Sequence, residues 1–246
     1  MTEKDELKNI VLNFETSGTL FADGKRNKIK LFEHHGTILN IKSFKIPIFF
    51  NQIIYRYFRD SKAKRSFENA KKLLQLGILT PKPIDYLEFY NAIGLQKSFY
   101  ICEHLKIDYS ILDVLHLTNQ EIQKLLLQKF AQFTFDLHEK GVEFLDHSPG
   151  NTLLVKNKIT GDFDFYLVDL NRMKFHGKKL DFATRTKNLS RIASTEMVIK
   201  IISDQYSAYY KDIPAPKFYD ALWQKTQQFQ SRFYRKKKLK KRYLFK

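Results

Sequence analysis

Residues 144–155 read FLDHSPGNTLLV, and residues 163–170 read FDFYLVDL. The first stretch is a loop running into a strand, because Ser148, Pro149 and Gly150 favour turns while the residues after Asn151 are apolar and extended in character. The second is a strand ending in an acid, Asp169. Asp146 and Asn151 stand in D-x-x-x-x-N spacing, and Asp169 follows Asn151 by 18 residues. Upstream, Lys42 sits inside the strand pattern ILNIKSF, and Glu68 follows 26 residues later on the next helix. Each residue type has a task in phosphoryl transfer. A strand lysine holds nucleotide phosphates as a point charge, and a helix carboxylate positions it. Asp146 accepts the proton of an attacking hydroxyl, and Asn151 and Asp169 are hard oxygen ligands for Mg²⁺. Alone, each has an ordinary explanation: a solvated edge lysine, a turn-forming aspartate. Their joint order and element type point to the chemistry.

The surrounding chain supplies the elements. SGTLF, NKIKLFE and GTILNIKSF read as three strands over residues 17–44, separated by turn signals at Ala22-Asp23-Gly24 and His34-His35-Gly36. SKAKRSFENAKKLLQLG predicts a helix of about four turns, with Phe67, Ala70, Leu73 and Leu74 on one face and Gly77 as its C-terminal stop. Pro81 and Pro83 cannot continue it. IDYLEFY and LQKSFYICEHL form a hairpin ending at Glu103-His104-Leu105. Residues 119–140 predict a buried helix, residues 180–230 further helices, and residues 106–110 a linker. The predicted fold is α+β and bilobal. Residues 1–105 form an N-lobe with a small antiparallel sheet and one helix, and residues 106–246 form a mainly helical C-lobe.

The chain has 246 residues, 43% of them hydrophobic, which suffices for a core. Its one cysteine, Cys102, excludes an internal disulfide and a Cys-rich zinc site. The polar, acidic N-terminus has no secretory pattern, and no run of 18 apolar residues is present. Net charge is +17, and Arg232–Lys246 alone carries nine Lys and Arg with no acid. A second basic stretch, Arg56–Lys72, follows the aromatic segment IPIFFNQIIYRYF at residues 46–58. Such charge suits nucleic acid, an anionic membrane or a phosphorylated substrate. Residues 46–58 suit either a membrane interface or a core-packing segment.

The order of elements resembles the protein-kinase-like fold. More narrowly, KSFK, SKAKRSFENAKKLLQLGILTPKPI, LHEKGVEFLDHSPGNTLL and VDLNRMKF resemble the bacterial lipopolysaccharide kinases, which phosphorylate Kdo or heptose of the inner core. The resemblance spans most of residues 17–195 and includes Arg185, Asn188, Leu189, Arg191 and Ile192 in R-x-x-N-L-x-R-I spacing. It implies an ATP- and Mg²⁺-dependent enzyme that transfers the γ-phosphate to a sugar hydroxyl of a lipopolysaccharide or lipid A-core precursor. Lys42 would be the phosphate-binding lysine, Glu68 its partner, Asp146 the base, and Asn151 and Asp169 the metal ligands. The backbone of Glu103 to Leu105 would read adenine near Ile101, and Gly24, Lys25 and Arg26 would cover the phosphates. The enzyme would be cytoplasmic, held at the inner face of the inner membrane through residues 232–246. No obligate protein partner and no nucleic acid are expected.

The pattern departs from protein kinases in several places. Gly24 is the only glycine of the phosphate loop, Phe144-Leu145-Asp146 replaces His-Arg-Asp, and Asp169-Leu170-Asn171 replaces Asp-Phe-Gly. Without peptide-binding segments, a small-molecule or glycolipid acceptor is favoured, and an atypical RIO-like serine/threonine kinase is the alternative. Arg172 would contact acceptor phosphates or brace Asp146. His147 would touch the acceptor or be a solvated loop residue. His138 is a structural histidine, Cys102 a small core residue, and turn chemistry accounts for His34 and His35.

Overall fold

The computed structural model describes residues 2–24, 27–46, 52, 54, 55 and 57–244, with side chains up to residue 239. The chain divides into two compact units, Met1–Lys106 with Leu167–Arg172, and Ile107–Tyr166 with Met173–Lys246.

The first unit is built on a five-stranded antiparallel sheet in the order β1-β2-β3-β5-β4, with β1 Thr19–Asp23, β2 Asn27–His34, β3 Thr37–Phe44, β4 Pro83–Tyr90 and β5 Leu95–Glu103. Alternation assigns its faces. Phe32, Leu39, Ile41, Phe99 and Ile101 point to one side and pack with Leu7, Val11 and Phe14. Leu7 and Val11 belong to helix α1 (Glu3–Leu12), which residues 2–12 form despite their polar composition. The Thr2 side chain caps the Asp5 amide while the Asp5 carboxylate caps Thr2, a reciprocal box at the helix start. Lys42, one residue past Ile41 and opposite Tyr100, lies on the face turned away from α1. Helix α2 (Lys62–Gln75) packs on β3, β4 and β5 and sets Phe67 against Tyr86.

Helix α2 begins at Ser61, whose hydroxyl accepts the Lys64 amide, and ends at Gly77. Gly77 has φ +68°, its amide bonds Leu74 O, and the Ile78 amide bonds Leu73 O, the paired closure of a left-handed helix terminus. Its buried face is Ala63, Ser66, Ala70 and Leu73, which keeps Ala70 and Leu73 of the expected face and replaces Phe67 and Leu74. Leu74 is exposed, because the helix seats on the sheet through its smallest residues.

In the second unit, α4 (Gln120–Glu139) packs on α6 (Glu196–Tyr209), and α6 on α7 (Ala215–Leu244), around a core that includes Phe130, Leu154, Ile199, Tyr206 and Phe218. The short helices α3 (Ile111–Val114) and α5 (Phe182–Leu189) flank them. The strands are β6 Tyr109–Ser110, β7 Val142–Phe144, β8 Thr152–Lys156, β9 Phe163–Leu167 and β10 Met173–Phe175, arranged as β6-β8-β9 and β7-β10. One expectation needs correction, and one element runs further than expected. Residues 109–110 are a strand paired with β8 rather than linker. Helix α7 runs on to Leu244, so most of the basic tail is helical.

The strand expected over residues 163–170 stops at Leu167. There the chain leaves the division expected at residue 105, because Leu167–Arg172 joins the first unit. The Leu167 amide bonds Leu79 O at 3.0 Å, Thr80 Oγ1 donates to Leu167 O at 2.8 Å, and Asn69 Nδ2 donates to Leu170 O at 2.6 Å.

Candidate active site

In the first unit, Lys42 Nζ lies 2.7 Å from Asp169 Oδ1. Both side chains are mostly shielded, with 13% and 32% exposure, so the pair is screened less than a surface ion pair. Asn171 Nδ2 donates to the same Oδ1 at 2.9 Å. Asp169 has φ +60°, a left-handed backbone that is uncommon outside glycine. The bend turns the carboxylate onto Lys42, while Asn69 anchors the next carbonyl. The Lys42 ammonium also lies 5.5 Å from the centre of the Phe44 ring.

Glu68 is not brought to Lys42. It is exposed, about half a turn from the middle of the buried face of α2 at ~100° per residue. The residue on the buried face is Ser66, whose hydroxyl bonds Lys62 O within the helix. The carboxylate that meets Lys42 is therefore Asp169. Gly24 sits in the β1–β2 turn, its amide bonding Asn27 O at 2.9 Å, and Lys25 and Arg26 lie outside the described residues. Ile101 is fully buried. The Glu103 carboxylate pairs with Lys82 at 2.8 Å, and its amide bonds Lys82 O. Leu105 follows, half-buried, in an irregular stretch. Burial pushes the Cys102 thiol up to about 12, so it is protonated and inert.

In the second unit, Asp146 and Asn151 share one loop. Asn151 Nδ2 donates to the Asp146 carbonyl at 2.9 Å. Arg191 donates from Nη1 to Leu145 O and lies 3.3 Å from Asp146 Oδ1. Its guanidinium also stacks 5.2 Å from the Phe229 ring centre.

A buried hydrogen-bond chain supports this loop. Asn188 Nδ2 donates to Phe144 O at 2.7 Å, which makes Asn188 Oδ1 the acceptor for His138 Nε2 and His147 Nδ1, each at 3.0 Å. His138 Nδ1 then accepts from the Tyr206 hydroxyl at 2.8 Å, and that hydroxyl accepts from Arg185 Nη1 at 2.9 Å. Arg185 is fully buried, donates to Leu180 O at 2.6 Å and pairs with Glu139. Burial lowers His138 to about 3 and His147 to about 4, so both rings are neutral. His147 is therefore a positioning residue inside the unit, not a solvated loop histidine. The roles of Asn188 and Arg191 were missed. Their signal was R-x-x-N-L-x-R-I, in which the i, i+3 spacing places Arg185 and Asn188 one helical turn apart on a common face.

Asp169 in the first unit and Asn151 in the second each offer a hard oxygen donor of the kind magnesium takes. Lys42 and Asn171 both bond Asp169 Oδ1, so Oδ2 is the oxygen that would meet a cation.

Comparison with known proteins agrees on the fold. The structure of "WaaP in complex with acyl carrier protein" aligns with a TM-score of 0.60 at 15% identity, covering 89% of this chain and 92% of that one. A MAP kinase from Leishmania major has a TM-score of 0.43 at 16% identity (82% and 59% covered), and the Mycobacterium tuberculosis PknI kinase domain 0.44 at 13% (84% and 94% covered). No curated protein sequence matches the chain. The profile of the lipopolysaccharide kinase (Kdo/WaaP) family matches residues 34–212, a span that holds Lys42, Asp146, Asn151, Arg191 and Asp169. With this profile over most of its length and a kinase-like fold, the chain belongs to the lipopolysaccharide kinase (Kdo/WaaP) family, a family of phosphotransferases acting on sugar hydroxyls.

Proposed function

We propose that this enzyme transfers the γ-phosphate of ATP to a hydroxyl of Kdo or heptose in the lipopolysaccharide inner core, from the cytoplasmic side of the membrane. The observation that carries this reading is the Lys42–Asp169 pair at 2.7 Å on a left-handed aspartate. It holds a cation donor and an anionic ligand side by side, as phosphate binding requires. Asp146 is the base that takes the proton of the acceptor hydroxyl, and Arg191, 3.3 Å from its carboxylate, helps to orient it. Lys42 binds the phosphate oxygens. Asn151 and Asp169 would hold Mg²⁺, which neutralises phosphate charge when bound. The backbone of Glu103–Leu105 would receive adenine, and Gly24 with Lys25 and Arg26 would cover the phosphates. Glu68 has no part in this scheme.

The tail serves attachment. Along α7, residues 231–239 are exposed, including Phe233, Tyr234 and Leu239 among the lysines and arginines. Cations with interleaved aromatics suit an anionic bilayer surface. Among the described residues no helix is long and apolar enough to cross a membrane, so attachment of this kind would be peripheral.

The test is transfer of labelled γ-phosphate from Mg·ATP to purified lipopolysaccharide precursors carrying Kdo alone or Kdo with heptose. Asp146→Ala should lower kcat by about 10²–10⁴-fold, the range for loss of a positioned base. Transfer to a protein acceptor but to neither glycolipid would overturn the reading in favour of a protein kinase.

A further inference from the structure

His35 and Gly36 form the two-residue loop between β2 and β3, with φ of +48° and +74°, and close on the His34–Thr37 pair. This is a type I′ turn, with histidine in the position where asparagine is more usual. The two imidazoles lie with centroids 4.2 Å apart. Glu6 on α1 reaches them both: its Oε2 lies 2.8 Å from His35 Nε2 and 3.6 Å from His34 Nε2. All three candidate ligand atoms fall within 4.8 Å of one another. Turn chemistry explains the glycine and the left-handed residue, but not this convergence.

His34 Nε2 is the informative atom. It is buried and has no hydrogen-bond partner among the described residues, an uncompensated state for a polar group. The carboxylate oxygen stands just beyond bonding range, at 3.6 Å. That separation is close to the ~3.3 Å between ligand atoms in a tetrahedral site with bonds of about 2.0–2.1 Å. His35 is 72% exposed, so its ring can open from the carboxylate by the small amount required. Two imidazoles and one carboxylate suit a borderline cation and are a poor set for Mg²⁺ or Ca²⁺, which prefer oxygen.

We propose that Glu6, His34 and His35 bind a Zn²⁺ ion, with water in the fourth position, and that this ion ties α1 to the β2–β3 turn. Glu6 precedes residue 34, where the family match begins. The site lies on the helix that covers the sheet face opposite Lys42, so it is separate from the phosphoryl-transfer residues and independent of their assignment.

The test uses the tag-free full chain, stripped of metal and titrated with Zn²⁺ against a chromophoric chelator in millimolar Mg²⁺. One Zn²⁺ per chain is expected. Glu6→Gln, which keeps a hydrogen-bonding oxygen at His35, and His35→Asn, which tolerates the left-handed turn, should each weaken binding by about tenfold or more, since even outer partners of a metal site are worth 10–100-fold. Zn²⁺ should raise the melting temperature of the parent but not of the variants, with circular dichroism confirming that both are folded. Co²⁺ in place of Zn²⁺ should give the visible bands of a four-coordinate site in the parent and lose them in His35→Asn. Absence of stoichiometric binding, or equal binding by parent and variants, would overturn the proposal and leave Glu6 as a simple hydrogen-bond partner for His35.

Discussion

Lowering the pH from 7.5 to 5 should destabilise the second unit by about 4 kcal/mol through two histidines. His138 and His147 are completely buried, and burial holds them at about 3 and about 4, against about 6.5 in an unfolded chain. Folded, both are neutral at pH 5; unfolded, both are almost fully protonated. The unfolded state thus binds more protons, and stability falls as pH drops below 6.5, levelling off near the folded values. At 1.36 kcal/mol per pKa unit, each ring contributes about 2 kcal/mol at pH 5, a large share of the 5–15 kcal/mol typical of a domain. The sole tryptophan, Trp223, packs against the core of this unit, so its fluorescence in urea titrations reports the relevant transition. The comparator is His138→Gln with His147→Gln, which keeps donors toward Asn188 and removes the titration. It should be less stable than the parent at pH 7.5 yet lose much less between pH 7.5 and 5, because the other histidines are common to both proteins. A parent free energy that changes by under ~1 kcal/mol over that range, or parallel slopes for parent and variant, would refute the assignment of two neutral buried rings.

Two further outcomes follow from the fold. Gly141, at φ +71°, would place an alanine Cβ 2.3 Å from the Lys178 carbonyl; Gly141→Ala should destabilise the protein by about 3 kcal/mol or more, measured by thermal melting, since both the backbone angle and the contact oppose it. Removing residues 232–246 deletes nine cationic side chains; binding to anionic vesicles at low salt should fall at least about tenfold, given ~1 kcal/mol per basic residue at the surface, and the difference should shrink in high salt.

Much of this architecture is written in local signals. Ser61 and Gly77 bracket α2, and Asn119 opens α4, because caps and left-handed stops depend on residues close in sequence. The turns at Gly24 and Gly36 separate β1, β2 and β3 for the same reason. Helix α1 was legible only in its Thr2–Asp5 box, since its short apolar stripe of Leu7 and Val11 finds its partners in β2, β3 and β5, far along the chain. Ala70 and Leu73 were legible on the buried face of α2, whereas close approach to the sheet selects Ala63 and Ser66 beside them in place of the larger Phe67 and Leu74. Glu68 was read as the partner of Lys42 from residue type and order alone, and it is exposed. Asn188 and Arg191 were visible as a spacing but not as roles, because their partners, Phe144 and Leu145, lie more than 40 residues away. Such bonds are tertiary, and no periodicity announces them.

The two candidate aspartates are held by different physical means, and the difference matches the tasks proposed for them. Asp169 sits on a backbone angle that a non-glycine residue adopts at a cost of order 1–3 kcal/mol. Lys42, Asn171 and the Asn69 bond to the next carbonyl offset that cost, so the carboxylate faces a cation already in place. A ligand for phosphate-bound metal gains from such fixed charge, because reorganisation is complete before substrate arrives. Asp146 is instead carried on a loop whose backbone is fixed from beneath by neutral groups: Asn188 bonds Phe144 O, and two uncharged imidazoles lock Asn188 in turn. Arg191 donates to the Leu145 carbonyl and lies 3.3 Å from the carboxylate. Neutral histidines beneath the loop fix its position without adding positive charge, and their burial at about 3 and about 4 keeps them neutral throughout the pH range in which a carboxylate can act as a base.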